Sequence, residues 1–99
     1  MEKRTPHYRL SVVKTLVISG RVRATLSALS GAAALGMGFH DMLGVVMGLR
    51  SRDFYKSMTT QSDHRVWQDV YRPTTGNAGK IYLKLTVIDG VLIVSFKEL

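Results

Sequence analysis

Four polar side chains that could work together in this chain are two lysines, a glutamine and a tyrosine: Lys56, Gln68, Tyr82 and Lys97. The sequence holds no acid pair, histidine-containing triad, P-loop or glycine-rich nucleotide fingerprint to compete with them. One reaction suits such a set: cleavage of RNA by its own 2′-hydroxyl. The nucleophile then belongs to the substrate. The protein has to orient the phosphate, stabilise charge on its oxygens and move protons. A lysine crowded by other cations has a lowered pKa and can serve as base or acid. A tyrosine can hydrogen-bond a phosphate oxygen or relay a proton, and a glutamine can hold the scissile group. Tyr55 and Met58 offer flat or soft apolar surface to an unstacked base, and Arg72 offers a phosphate or guanine contact. Ordinary packing is the competing reading of Tyr55 and Met58, and for Met58 it is the plainer one.

These residues must be positioned by two hairpins. Lys80–Leu99, KIYLKLTVIDGVLIVSFKEL, has two apolar runs meeting at Asp89-Gly90. Asp-Gly between such runs signals a hairpin, because glycine accepts the positive φ of a type I′ turn. A two-residue loop there pairs Leu83 with Phe96, Leu85 with Val94 and Val87 with Leu92 on an apolar face. Ile88 faces Val91 across the turn. On the other face Tyr82 meets Lys97, Lys84 meets Ser95 and Thr86 meets Ile93. Directly opposed side chains lie on one side of the sheet with Cβ atoms roughly 4.5–5.5 Å apart. Strands beside solvent are often rimmed by Lys and Tyr, and the hairpin taken alone favours that plain explanation. A second hairpin, with a three-residue loop at 61–63, opposes Thr60 to His64, Met58 to Val66 and Lys56 to Gln68. If the two hairpins share a sheet, Lys56, Gln68, Tyr82 and Lys97 converge.

The earlier part of the chain reads as helical. Met1–Arg9 is a basic arm with Pro6 opposing helix. Leu10–Ser19 has apolar residues at helical spacing, and Gly20 follows where helices often stop. Arg21-Val22-Arg23 reads as a basic connector. Thr25–Leu35 is a second helix, weakened by Gly31 at roughly 1 kcal/mol relative to alanine. Gly36-Met37-Gly38 breaks it, and Phe39–Leu49 is a third, with Met42 and Met47 as core filler. Asp53–Thr60 and Val66–Arg72 then read as strands, with Phe54, Lys56 and Met58 on one side of the first, and Thr74–Gly79 as a flexible loop. Helices followed by strands predict an α+β fold, with N-terminal helices packed on a C-terminal antiparallel sheet.

Composition narrows the partners. The 99 residues suit one domain spanning 1–99. Fourteen Lys and Arg against seven Asp and Glu give a net charge of +7, which favours a polyanion: nucleic acid first, anionic lipid second. The absence of cysteine excludes disulfides, Cys-based zinc sites and thiol nucleophiles. His7, His40 and His64 have no ligand spacing, so no metal site and no cofactor are expected. The N-terminal apolar run is too short for a signal peptide. Ala24–Leu49 lacks Lys, Arg and Glu and is long enough to span a bilayer, but Asp41 would cost roughly 2.5–3.5 kcal/mol near its centre. Five glycines also interrupt it, so it reads as two buried helices, with a membrane span as the lesser alternative.

The blocks MEKRTPH, DFYKSMTT, WQDVYRP, YLK at 82–84 and VLIVSFKE at 91–98 closely resemble the MqsR (motility quorum-sensing regulator) toxin family. The resemblance covers essentially the whole chain and thins across Ser30–Arg52 and Thr74–Gly79. It implies a fold similar to RelE bacterial ribonucleases. It also implies a toxin of a type II toxin–antitoxin pair, acting in the cytoplasm as a metal-independent endoribonuclease on mRNA at short GC-containing sites (GCU- or GCA-like). The family's catalytic lysine, glutamine, tyrosine and lysine fall on Lys56, Gln68, Tyr82 and Lys97. Its RNA-contacting tyrosine, methionine and arginine fall on Tyr55, Met58 and Arg72, which reverses the packing reading of Met58. Lys84, on the same hairpin face, is placed with the RNA-contacting residues. The implied partners are mRNA and the zinc-containing, DNA-binding antitoxin MqsA, with DNA met only through the antitoxin and no membrane. A non-catalytic basic module that binds nucleic acid or the antitoxin is the alternative. Both readings need the positive face; only the enzyme needs these particular side chains.

Overall fold

A computed structural model describes residues 1–99. Three helices, α1 (Leu10–Ile18), α2 (Leu26–Ala34) and α3 (Phe39–Met47), pack on a sheet of β1 (Glu2–Lys3), β2 (Val22–Ala24), β3 (Phe54–Thr59), β4 (Trp67–Tyr71), β5 (Thr74–Thr75), β6 (Gly79–Val87) and β7 (Val91–Glu98). The strand order is β1-β3-β4-β6-β7-β2, with β5 folded back on β6. The expected α+β architecture is present, and the three helices lie where their apolar spacing put them. The sheet is mixed rather than purely antiparallel, because β2 runs parallel to β7.

Three short strands sit where connectors were expected. Arg21-Val22-Arg23 was expected as a connector, yet Val22–Ala24 adds a strand beside Val91–Ile93. The basic arm contributes Glu2 and Lys3 as an edge strand on β3. Thr74–Gly79 forms a tight turn of its own, with Thr74 paired to Lys80 and Thr75 to Gly79. All three are too short to carry a period-2 signal, and each is held by pairing to a longer strand.

The long hairpin follows the expected register only at its open end. Tyr82 faces Lys97, Leu83 faces Phe96 and Lys84 faces Ser95. Beyond Lys84 the register slips by one, so Leu85 faces Ile93, Thr86 faces Leu92 and Val87 faces Val91. The expected pairs Leu85–Val94, Thr86–Ile93, Val87–Leu92 and Ile88–Val91 do not form. Val94 is the extra residue of a bulge, and its carbonyl accepts the Thr25 hydroxyl at 2.8 Å instead of closing a rung with β6. The same hydroxyl accepts from Ala28 N at 3.0 Å and so caps α2. The turn becomes Ile88-Asp89-Gly90, with positive φ at Asp89 (53°) and Gly90 (103°). The core takes Val91 and Ile93 in place of Leu92 and Val94.

The second hairpin also has a longer loop than expected. Thr60 N bonds Val66 O at 3.1 Å, so the turn spans residues 61–65 rather than 61–63. Thr60 braces it by donating to Asp63 O and accepting from Asp63 N. Lys56 therefore faces Val70 and Met58 faces Gln68, not Lys56 to Gln68 and Met58 to Val66. The error is an even number of residues, so the faces are unchanged. A second bulge between Phe54 and Lys56 separates those two side chains: Phe54 turns inward against Tyr71, ring centroids 5.5 Å apart, while Lys56 points to the opposite face.

The helices close one face of the sheet. Val13, Val17, Ala28, Ala32, Met42 and Val46 pack there against Ile81, Leu83, Leu85, Val91, Ile93 and Phe96. The candidate span Ala24–Leu49 is two helices bent by 91°, and no single helix is long and apolar enough to cross a membrane. Asp69, wholly buried, accepts from Ser57 Oγ at 2.6 Å and from the backbone N–H groups of His7 and Tyr8, each at 3.0 Å. That pins the N-terminal arm across β3 and β4.

Candidate active site

The face of the sheet away from the helices carries the predicted residues. Across β3, β4, β6 and β7 one row reads Lys56, Val70, Lys84, Ser95. Alternation along each strand then adds Met58, Gln68, Tyr82 and Lys97 to the same side, and Arg72 follows the end of β4. Val70 is fully buried yet lies outside the helix-side core cluster. Its neighbours in the row, Lys56 and Lys84, are themselves half-buried.

Spacing follows from the sheet. Lys56 and Lys84 stand two strands apart, about 9–10 Å between backbones, so their amines can approach one another above Val70. Tyr82 and Lys97 are directly opposed, with Lys97 Nζ 5.3 Å from the phenol ring centroid. Lys97 is also the diagonal neighbour of Lys84, at roughly 7–8 Å. Met58, Gln68 and Lys84 line an open depression of about 590 Å³, with Thr60, Gln61 and Ser62 on its rim.

Tyr55 is the bulged residue of β3, and the bulge brings it beside Lys56, whose Nζ is 5.5 Å from its ring centroid. The Arg72 guanidinium lies 4.5 Å and that of Arg4 5.3 Å from the same centroid. Cations at this range are attracted by the ring quadrupole. The structure thus gathers Lys56, Met58, Gln68, Tyr82, Lys84 and Lys97 on one face, with Tyr55 and Arg72 at its margin.

Two residues that the sequence reading did not single out join them. Arg4 is one. The other is Glu2, whose carboxylate takes a 2.6 Å hydrogen bond from Lys56 Nζ. The signal available was thin: Glu2 is the only acid in a basic arm, and pairing of that arm with β3 could not be read from two residues.

The lysines sit in different electrostatic surroundings. The hydrogen bond and charge of Glu2 hold the Lys56 amine above its ordinary pKa, and Lys56 holds the Glu2 carboxyl below its own. Lys84 has no carboxylate partner. Burial, and then the positive charges of Lys97 and Lys56, push its amine below the usual lysine value. A face of this kind can hold an anion between cations that sit in unlike surroundings.

Residues 5–98 match the model of the family described as motility quorum-sensing regulator, toxin of MqsA. The chain belongs to the MqsR toxin family. It is also 63% identical over 98 residues, covering 99% of both chains, to the protein named mRNA interferase toxin MqsR of Escherichia coli (strain K12). Membership of the MqsR family agrees with the resemblance carried by the strand blocks, and those blocks are the ones that build the basic face.

Proposed function

We propose that this MqsR family member is an endoribonuclease toxin that cuts mRNA on the basic sheet face. The observation that carries the reading is the convergence of Lys56, Gln68, Tyr82, Lys84 and Lys97 on one side of the sheet, uncovered by helices. In the proposed reaction the ribose 2′-hydroxyl attacks the adjacent phosphorus and the bond to the 5′-oxygen breaks. The products are a 2′,3′-cyclic phosphate and a 5′-hydroxyl. Lys56 and Lys97 hold charge on the phosphate oxygens, Tyr82 donates a hydrogen bond to one of them, and Gln68 holds the scissile group. Tyr55 and Met58 receive an unstacked base, and Arg72 contacts phosphate or guanine. The substrate supplies the nucleophile and the side chains supply the charge, so the reaction as drawn needs no metal.

Cleavage at short GC-containing sites, cytoplasmic action on mRNA and neutralisation by a zinc-containing, DNA-binding MqsA antitoxin complete the proposal. The test is incubation of purified protein with a defined RNA in EDTA, followed by mapping of the ends. Cuts at GCU- or GCA-like sites support the full reading. Cuts spread over all sequences would remove the specificity, and intact RNA would leave a non-catalytic binding module.

A further inference from the structure

We infer that Lys84 is the base of this reaction, taking the proton of the attacking 2′-hydroxyl, while Lys56 remains a fixed cation. The inference deepens the proposed ribonuclease function and rests on it. Its first support is position. Lys84 lies on β6, one of the two central strands, between Val70 of β4 and Ser95 of β7. It forms a wall of the depression shared with Gln68 and Met58, where a splayed nucleotide would lie. Lys97 and Tyr82 flank it towards the open end of the hairpin, where the proposed reaction puts the phosphate.

The second support is the contrast between the lysines. No group facing Lys84 from the neighbouring strands is an anion. Lys56 on β3 and Lys97 on β7 are cations, Gln68 on β4 and Ser95 on β7 are uncharged, and Tyr82 is a phenol on its own strand. The one carboxylate of this region, Glu2 on β1, is engaged by Lys56. Groups whose environments separate their protonation states take separate roles as base and as charge stabiliser. Lys84 accepts the 2′-hydroxyl proton and becomes an ammonium as the 2′-oxygen bonds phosphorus. The departing 5′-oxygen takes its proton from Tyr82 or Lys97, and exchange with water resets both groups.

The test is Lys84→Arg, which keeps a cation but cannot act as a base near neutrality. Single-turnover cleavage and RNA affinity are measured from below neutrality up to about 10, the ordinary lysine value. The wild-type rate should rise with pH and level off. Folded Lys84→Arg should bind RNA as the wild type does, lose about 10²–10⁴ in rate and lack the rising limb. A rate within tenfold of wild type, or a retained limb, overturns the inference and leaves Lys84 as an RNA-binding cation. Should Lys84→Arg fail to fold, Lys84→Ala is judged by the same limb, with methylamine expected to restore part of the rate. A wild type that leaves the RNA intact refutes the ribonuclease reading itself and is distinguished by that control.

Discussion

At the residue scale, opposed side chains define the proposed chemistry. Lys97 is exposed and faces Tyr82, so Lys97→Ala should change stability by no more than about 0.5 kcal/mol. Its cleavage rate should fall by roughly 10²–10⁴. Tyr82→Phe keeps the ring and deletes only the hydroxyl, which separates packing from chemistry. Because both would serve one phosphate, the double variant should lose less than the product of the two single losses. Single-turnover cleavage beside thermal melts of each variant checks this, and full activity in folded Lys97→Ala would remove it from the mechanism. Tyr71 gives a separate reading of the core. Burial, with the charges of Asp69 and Asp53, pushes its hydroxyl up to about 12. A folded-state pKa raised above the ordinary value of about 10 stabilises the protein fully below that value. This contribution is lost as pH climbs from about 10 towards 12. Chemical denaturation across that window should show declining stability, with a shallower decline in Tyr71→Phe. The shared face of Lys56, Gln68, Tyr82 and Lys97 was legible because the bulges at Tyr55 and Val94 fall outside the segments that carry these four residues. The Glu2–Lys56 contact was not, since it joins residues 54 apart through a strand two residues long.

At the element scale, the sequence exposes what is periodic and hides what depends on close approach. The three helices and four longer strands follow from apolar spacing. The slip at Val94 does not, because it is set by Thr25 reaching across from the start of α2. Gly31 shows the same limit. By propensity it only weakens α2, but a Cβ there would stand 1.9 Å from the Phe96 carbonyl oxygen and 3.5 Å from Lys97 Cβ. Strand β2 covers the edge of β7 only from Val91 to Ile93, and α2 lies directly against the β7 main chain beyond it. Gly31→Ala should therefore cost about 1–3 kcal/mol, despite its better helix propensity, and shift Lys97. Gly44, inside α3 with nothing within 4 Å of a built Cβ, is the control. Gly44→Ala should gain up to about 1 kcal/mol, or roughly 4–8 °C in Tm. Thermal melts of the pair check the argument, and equal shifts in one direction would contradict it.

At the scale of the whole molecule, the +7 charge and the division of the sheet into two faces belong together. One face is closed by helices and supplies the core. The other is uncovered by helices and presents Lys56, Lys84 and Lys97 to a polyanion. RNA affinity should weaken steeply with salt, because released counterions drive much of the binding. Arg72→Ala should weaken binding and flatten that slope, as read by titration at several salt concentrations. Affinity unchanged between low and high salt would place RNA elsewhere. The central claim is that this face cuts RNA by using the substrate's own hydroxyl. It is tested most directly with two oligonucleotides containing one GC site, all-ribose or with a single 2′-deoxyribose 5′ of the scissile phosphate. Each is incubated in EDTA with saturating protein, and the ends are mapped. The all-ribose strand should be cut to a 2′,3′-cyclic phosphate and a 5′-hydroxyl, and the deoxy strand should stay intact at that bond. Equal cutting of both strands at the same bond would contradict the account.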